Sequence, residues 1–209
     1  MKRAATMGTV CSFPSPAIPA GRISENAQPV LRAGELTLRP WLPDDAPVVL
    51  RASADPAIRR WNRQFTTSSE DALAWIGQWD DRWRAEKDAS WAVVLDAEVL
   101  GRVSLRGFDL GDGAAQVTYW VLPAARGRGV AVRAAGQVAH WAFDVGFHRL
   151  ELVHSVANPA SCRVAGKLGF ALEGTLRSAV RHEDGWHDMH LHARLADDGG
   201  TPARGEPDA

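Results

Sequence analysis

One segment in the middle of the chain has the composition of an anion-binding loop. Arg126-Gly127-Arg128-Gly129-Val130-Ala131 follows a predicted strand and opens a predicted helix. Glycines let the backbone approach an anion closely, while unpaired amides at a helix start and the helix dipole attract negative charge. The segment lacks the Lys-Ser/Thr pair of a nucleoside-triphosphate loop and the spacing of a dinucleotide fingerprint. It therefore predicts a site for a pyrophosphate of another kind.

The elements around this loop indicate an α+β fold with a mixed, mostly antiparallel sheet and a central βαβ unit. Alternating polarity predicts strands near 35–39, 91–95, 99–108, 115–122, 149–156, 170–181 and 186–195. Apolar periodicity and capping residues predict helices near 43–52, 56–61, 68–83, 130–145 and 159–168. We expect a folded body at 34–195 between loosely ordered tails at 1–33 and 196–209.

Composition and charge exclude several classes of function. Lys and Arg number 24 against 25 Asp and Glu, so the charge balance does not predict nucleic acid or an anionic membrane as a partner. We find no apolar run typical of a signal peptide or a membrane span. Cys11 and Cys162 form no disulfide framework or redox pair. These features favour a reducing cytoplasm.

With its context, the loop resembles the coenzyme A signature of the GNAT superfamily, Arg/Gln-x-x-Gly-x-Gly/Ala, here Arg126, Gly129 and Ala131. The blocks Asn158-Pro159-Ala160-Ser161 and Leu168-Gly169-Phe170 resemble the branch that includes the Rim-type ribosomal-protein N-terminal acetyltransferases. The resemblance covers about 36–195. It implies the GNAT acyl-CoA N-acyltransferase fold, with acetyl-CoA as co-substrate and no metal.

The resemblance also implies roles for individual residues. Two parallel strands ending near Leu122 and Val156 should part and admit the pantetheine arm, with a strand bulge around 119–121. The Val121 amide should stabilise the oxyanion, and Ser161 should protonate the departing thiolate. The expected coenzyme contacts are Val121, Arg126, Gly127, Arg128, Gly129, Val130, Ala131, Asn158, Arg163 and Lys167.

Ordinary structural roles stay open for several of these side chains. Asn158 and Ser161 also stand where the start of a helix needs groups that bond to backbone amides. Arg163 and Lys167 have the character of exposed, solvated cations. Four of the nine tryptophans either line an acceptor cleft or belong to the core, namely Trp61, Trp91, Trp120 and Trp186.

The sequence does not identify a general base. Val180 stands where the Rim-type enzymes carry a glutamate. The replacement candidates are Glu151, His154, His182, Glu183 and Asp184. His190 and His192 share one side of a predicted strand, but no third ligand of suitable spacing accompanies them, so we expect no metal site.

The predicted function is transfer of the acetyl group of acetyl-CoA to a primary amine by direct attack through a tetrahedral intermediate. The missing glutamate favours a small-molecule acceptor such as an antibiotic, an amino acid or a polyamine. The Rim-like blocks favour a peptide N-terminus, for which the loop at 61–67 should leave a wide groove. A module that binds acyl-CoA without turnover is the third hypothesis. Dimerisation is common in the family, which favours a homodimer without deciding it.

Overall fold

The computed structural model of the protein describes residues 15–62 and 66–198. These residues form one sheet of eight strands in the order β1-β2-β3-β4-β5-β6-β8-β7. The strands are β1 (Leu31–Ala33), β2 (Leu36–Arg39), β3 (Asp88–Leu95), β4 (Glu98–Asp109), β5 (Ala114–Val121), β6 (Arg149–Ser155), β7 (Ala171–His182) and β8 (Gly185–Leu195). The helices are α1 (Ala46–Ala54), α2 (Pro56–Trp61), α3 (Ser69–Arg84), α4 (Val130–Val145) and α5 (Pro159–Lys167).

Within this described part of the chain, β5 and β6 are the parallel pair and the other neighbouring strands run antiparallel. Helix α4 connects β5 to β6, so the three elements form the predicted βαβ unit. The expected α+β fold with a mixed, mostly antiparallel sheet is confirmed. The predicted elements occur in the predicted order along the chain, but the structure adds the strand β1, which the sequence analysis did not predict. In the sheet, β8 lies between β6 and β7.

The two faces of the sheet carry separate apolar cores. Trp91 and Val93 on β3 belong to the core under α4, while Ala92 and Val94 belong to the core under α1 and α3. Successive side chains of a strand point to opposite faces, so α4 covers one face and the α1–α3 group covers the other. Helix α3 begins at the predicted cap Ser68, whose hydroxyl accepts a hydrogen bond from the Asp71 N–H at 3.0 Å.

We expected residues 1–33 to be a loosely ordered tail, and this expectation is wrong for the described part, residues 15–33. Ile18 and Ile23 are buried in the core under α4, and β1 pairs with β2. The Glu86 carboxylate accepts hydrogen bonds from the backbone N–H groups of Gly21, Ile23 and Ser24, which fixes this segment to the end of α3. At the start of the expected tail at 196–209, the Ala196 N–H donates to the His148 carbonyl at 2.9 Å. Residues 1–14 and 199–209 lie outside the described residues.

No helix in residues 15–62 or 66–198 combines the length and the apolar character needed to cross a membrane.

Candidate active site

The two parallel strands pair only at their beginnings and then part. The register runs from Ala114 opposite Arg149 to Gln116 opposite Glu151 and does not continue beyond them. Past that point β6 pairs with β8 and β5 stays with β4, so a gap opens between β5 and β6. The predicted parting of the strands is therefore found.

The expected bulge around 119–121 is wrong. The register of β5 against β4 is regular from Gln116 to Val121, and its shift falls instead between Arg106 and Asp109. The regular pairing arises because this end of β5 hydrogen-bonds continuously to β4 up to Leu122, whose N–H donates to the Leu100 carbonyl at 2.9 Å. No bulge is needed to open the gap, because β6 diverges.

The Val121 amide faces this gap. The N–H of Leu122 points toward β4, and successive amides of a strand point to opposite edges, so the N–H of Val121 points away from β4. Its carbonyl lies on the same edge, where it accepts a hydrogen bond from Arg126 Nε at 3.1 Å. A backbone donor thus stands where the resemblance predicts the oxyanion to form.

The predicted anion-binding loop joins β5 to α4 and contains two left-handed residues, Gly127 at φ 75° and Gly129 at φ 70°. A Cβ at either position would meet no atom within 4 Å, so backbone conformation, not space, requires glycine there. Gly129 is the N-cap of α4, and the first intrahelical donor is Arg133, which bonds to the Gly129 carbonyl. The N–H groups that precede Arg133 in the first turn therefore lie at the positive end of a 16-residue helix.

Arg126 is held differently from the expected coenzyme contact. Its N–H donates to the Pro123 carbonyl at 3.2 Å, and its guanidinium forms an ion pair with Asp55 at 2.6 Å. Burial alone would raise the pKa of the Asp55 carboxyl, but hydrogen bonds from Arg126 and from the Ile58 N–H hold that pKa below its usual value. Because Asp55 caps α2, the pair fixes the loop to that helix. The Arg126 amide is therefore already bonded within the chain, and the coenzyme contact of Arg126 stays a prediction.

A cleft of about 630 Å³, hereafter the coenzyme cavity, runs from this loop into the gap. It brings together nine of the ten predicted coenzyme contacts, and Arg128 is the one that does not line it. The nine are Val121, Arg126, Gly127, Gly129, Val130, Ala131, Asn158, Arg163 and Lys167. Two cations of α5 therefore lie beside the cavity, opposite the start of α4.

A pair of hydroxyls lies in the same cavity beside the gap. Tyr119 Oη and Ser161 Oγ are 2.9 Å apart, and Asn158 caps α5 by accepting the Ser161 N–H at 3.2 Å. Burial raises the pKa of the Tyr119 hydroxyl, partly offset by its contact with Ser161, so Tyr119 stays protonated at neutral pH. The sequence analysis missed Tyr119, although it is the chain's single tyrosine and stands in the strand that leads to the coenzyme loop.

A second cavity of about 530 Å³ lies on the face covered by α1 and α3, and we call it the acceptor cavity. It shares eight lining residues with the coenzyme cavity, namely Ile58, Trp61, Asn62, Thr118, Trp120, Val153, His182 and Met189. The two cavities therefore meet at the gap. Of the four tryptophans considered, Trp61 and Trp120 line the junction, whereas Trp91 is fully buried in the core and Trp186 is 65% exposed.

The acceptor cavity is also lined by a buried arginine that the sequence analysis missed. Arg102 donates one hydrogen bond, to Thr118 Oγ1 at 3.1 Å, and its Nε has no partner among the described residues. Burial, with repulsion from Arg106, lowers the pKa of the guanidinium to about 9, so it is still charged at neutral pH. The signal available in the sequence was a charged residue inside a strand whose neighbours are apolar or small.

The five base candidates separate clearly. Glu151 is paired with Arg149, Glu183 with Arg59 and Asp184 with His187 and Arg60, while His154 points to the face covered by α4 and α5. His182 is the candidate that lines both cavities.

A second imidazole lies next to His182. The ring centroids of His182 and His187 are 4.5 Å apart. His187 is fixed on both sides, by Ser155 Oγ at 2.7 Å from its Nδ1 and by Asp184 Oδ1 at 2.8 Å from its Nε2. The junction therefore carries two adjacent groups that can hold or pass a proton.

A family model described as "Acetyltransferase (GNAT) domain" matches residues 35–171. The chain belongs to the GNAT acetyltransferase family. The membership confirms the predicted superfamily.

Similar proteins agree with the Rim-type branch. The chain is 31% identical over 106 residues to the ribosomal-protein-serine acetyltransferase of Escherichia coli strain K12, a match that spans 50% of this chain and 59% of that relative. The structure of RimL, a ribosomal L7/L12 alpha-N-protein acetyltransferase, in complex with coenzyme A superposes with a TM-score of 0.76 at 20% identity, over 81% of this chain and 99% of RimL. The microcin C7 self-immunity acetyltransferase MccE, with acetyl-CoA and AMP bound, gives 0.73 at 21% identity, over 78% and 93%. These two likenesses establish the fold.

Proposed function

We propose that this GNAT protein is an N-acetyltransferase that moves the acetyl group of acetyl-CoA to the amine of a small molecule. The observation that carries the proposal is the meeting of two cavities at the gap between β5 and β6. One cavity has glycine-loop amides and cations suited to a pyrophosphate, and the other has an aromatic and cationic lining suited to an acceptor. Family membership and neighbours solved with coenzyme A or acetyl-CoA support the choice of coenzyme.

The residues at the junction supply each step of direct transfer. The amine nitrogen attacks the thioester carbonyl, and the Val121 N–H stabilises the oxyanion of the tetrahedral intermediate. His182 takes the proton that the amine loses. When the carbon–sulfur bond breaks, Ser161 Oγ protonates the coenzyme thiolate and regains a proton from solvent through Tyr119, which lies 2.9 Å away. His182 then releases the proton of the amine to solvent. No separate nucleophile of the protein is needed, because the amine attacks directly.

The acceptor is an amine that also carries a carboxylate or a phosphate. Arg102 supports this assignment, because its charge is buried and no carboxylate of residues 15–62 and 66–198 forms an ion pair with it. A second guanidinium, that of Arg106, lines the same cavity. Burying an unpaired charge is costly, so an anionic ligand group would gain a charge-assisted hydrogen bond there. A polycationic amine, by contrast, would be repelled.

The N-terminus of a protein is the second candidate acceptor. The E. coli relative is named a ribosomal-protein-serine acetyltransferase, and RimL is named for ribosomal L7/L12, which supports this alternative. The groove expected at 61–67 includes residues 63–65, which lie outside the described residues. The two arginines that line the acceptor cavity favour the small molecule. A cytoplasmic location, a homodimer and the absence of nucleic-acid partners stay predictions.

The test is release of the coenzyme thiol from acetyl-CoA in the presence of a panel of amines. The panel pairs each amino acid or phosphorylated amine with the same amine lacking its acidic group, and adds polyamines, aminoglycosides and short peptides with free N-termini. We expect turnover that depends on the acidic group. Turnover of peptides alone would support the second candidate, and acetyl-CoA binding in calorimetry without turnover of any amine would support a non-catalytic module.

A further inference from the structure

Three histidines and one cysteine form a cluster on the face covered by α4 and α5, outside the acceptor cavity. His154 on β6 stands opposite His190 on β8, and His192 lies two residues further along β8. Cys162 approaches from near the start of α5. One ligand-capable atom from each of these four residues lies within 4.8 Å of all the others.

Each of the three imidazoles has one ring nitrogen without a hydrogen-bond partner among the described residues. His154 Nε2, His190 Nδ1 and His192 Nε2 are buried and have no hydrogen-bond partner in the described part of the chain. The other ring nitrogen of two of them contacts a backbone carbonyl, His154 Nδ1 that of Ser155 at 2.8 Å and His192 Nδ1 that of Phe170 at 3.3 Å. A carbonyl only accepts, so each Nδ1 carries the proton and each Nε2 carries a lone pair. Carbonyl contacts of this kind orient histidines that bind metals.

The spacing of the rings fits a shared metal ion. Their centroids are 5.1 Å apart for His154 and His192, 5.4 Å for His154 and His190 and 5.8 Å for His190 and His192. A zinc–nitrogen bond of about 2.0–2.1 Å places each ring centre about 3.2 Å from the ion, so two tetrahedral ligands have centroids about 5.2 Å apart. The distance of 5.1 Å already matches this value, and the largest, 5.8 Å between His190 and His192, would have to shorten by about 0.6 Å. Without a ligand, the cluster leaves three buried ring nitrogens without a hydrogen-bond partner in the described part of the chain.

We propose that His154, Cys162, His190 and His192 bind one Zn²⁺ ion in a closed tetrahedral site. Imidazole nitrogens with one thiolate are a donor set that suits Zn²⁺ better than Mg²⁺ or Ca²⁺, which prefer oxygen ligands. Four protein ligands fill the coordination shell, so the ion is structural, and the thiol proton of Cys162 is released to solvent on binding. The ion ties α5 to β6 and β8. It thereby holds Asn158, the N-cap of α5, and Ser161, in the first turn of that helix, beside the gap.

The test uses the full chain without a histidine tag, because such a tag binds metals itself. We expect about one zinc per chain by plasma mass spectrometry after growth with zinc. Cobalt added to the metal-free protein should give the visible bands of a tetrahedral Co²⁺ ion and a near-ultraviolet thiolate charge-transfer band. In Cys162→Ser the charge-transfer band should disappear, and zinc affinity, measured by competition with a chromophoric chelator, should fall at least tenfold. His140→Ala, on the exposed face of α4, is the matched control.

Cys162 is only partly buried, so Cys162→Ser is expected to keep the fold, with the same circular dichroism and Tm as the unchanged chain when both are in excess chelator. The proposal is overturned if the metal-free chain takes up neither zinc nor cobalt at one equivalent. It is also overturned if cobalt binds without a thiolate band, or if Cys162→Ser binds zinc as tightly as His140→Ala. None of these outcomes depends on acetyl transfer, so they leave the proposed function untouched.

Discussion

The coenzyme cavity and the acceptor cavity are built in different ways. The first draws most of its contacts from two short stretches, 117–132 and 152–167, and several of its donors are backbone amides fixed by a turn and by the start of α4. The second is assembled from side chains of α1, α2, α3 and of the five strands from β4 to β8, which are far apart in the chain. The coenzyme cavity is thus formed largely by local backbone geometry. The acceptor cavity is formed by residues that only the tertiary fold brings together.

Gly129→Asp should have the largest effect, and it tests the coenzyme cavity. It places a carboxylate where the pyrophosphate should lie, and we expect acetyl-CoA affinity to fall by roughly 100-fold or more through charge repulsion. Calorimetry with acetyl-CoA measures the loss. Gly34→Asp is the matched control, since Gly34 also has a positive φ, 63°, and open space around its Cβ, but it lies in the β1–β2 turn. Equal affinity in the two variants would show that the loop is not the coenzyme site.

His182→Gln tests the junction between the halves. If His182 accepts the amine proton, kcat should fall by about 10²-fold or more, while acetyl-CoA affinity stays unchanged. The loss should shrink as pH rises, because a larger fraction of the acceptor amine then loses its proton to water. His140→Gln serves as the exposed counterpart. A pH–rate profile of unchanged shape and height would remove His182 from the mechanism.

Arg102→Met tests the acceptor half alone. Loss of the buried cation should lower kcat/KM for the acidic acceptor by about 100-fold and leave the KM for acetyl-CoA unchanged. Replacing an unpaired buried charge with an apolar side chain of similar length should also keep or raise Tm. Arg32→Met, at an exposed position of β1, controls for general loss of charge. Unaltered selectivity between acidic and neutral amines would contradict our assignment of the acceptor class.

Features that depend on neighbouring residues could be predicted from the sequence, whereas features that depend on residues far apart in the chain could not. Order, type and bounds of most elements follow from periodicity and capping residues, and the coenzyme loop from its glycines, because these signals are local. The sequence did not predict the roles of Arg102 and Tyr119, because these roles depend on contacts between strands. It did not predict the cluster around His190 either, because the β6–β8 register places His154 opposite His190. The packing of residues 15–33 could not be predicted for the same reason. Glu86 lies more than sixty residues along the chain from the amides whose hydrogen bonds it accepts.

Ser161→Ala separates binding from turnover within the coenzyme cavity. If the hydroxyl protonates the thiolate, kcat should fall about tenfold while the calorimetric Kd for acetyl-CoA stays within error. The thiolate is a modest base, so its protonation limits the rate less than amine deprotonation does. Tyr119→Phe should lower kcat by a similar factor, and the double variant should lose little more, because both act on one proton path. Independent, multiplicative losses would break the proposed Tyr119–Ser161 relay.

Asp55→Asn should have the smallest effect. It tests the ion pair that joins the coenzyme loop to α2, a helix that lines both cavities. An asparagine still caps α2 but cannot form the ion pair with Arg126, whose side chain is 40% exposed. Exposed pairs contribute roughly 0–1 kcal/mol, so KM for acetyl-CoA should rise by no more than about fivefold.

The pH dependence of that variant has a definite sign. The pKa of Asp55 is lowered in the folded protein, so its ion pair stabilises the fold at pH above the ordinary carboxyl value of 3.8 and is lost as pH falls through the lower folded value. Thermal unfolding should therefore show a small deficit of Asp55→Asn against the unchanged chain at neutral pH. That deficit should begin to shrink as pH falls below about 3.8 and should vanish only below the folded pKa of Asp55, wherever both proteins still unfold cooperatively. A deficit that persists there would mean that Asp55 acts as the cap of α2 and not through Arg126.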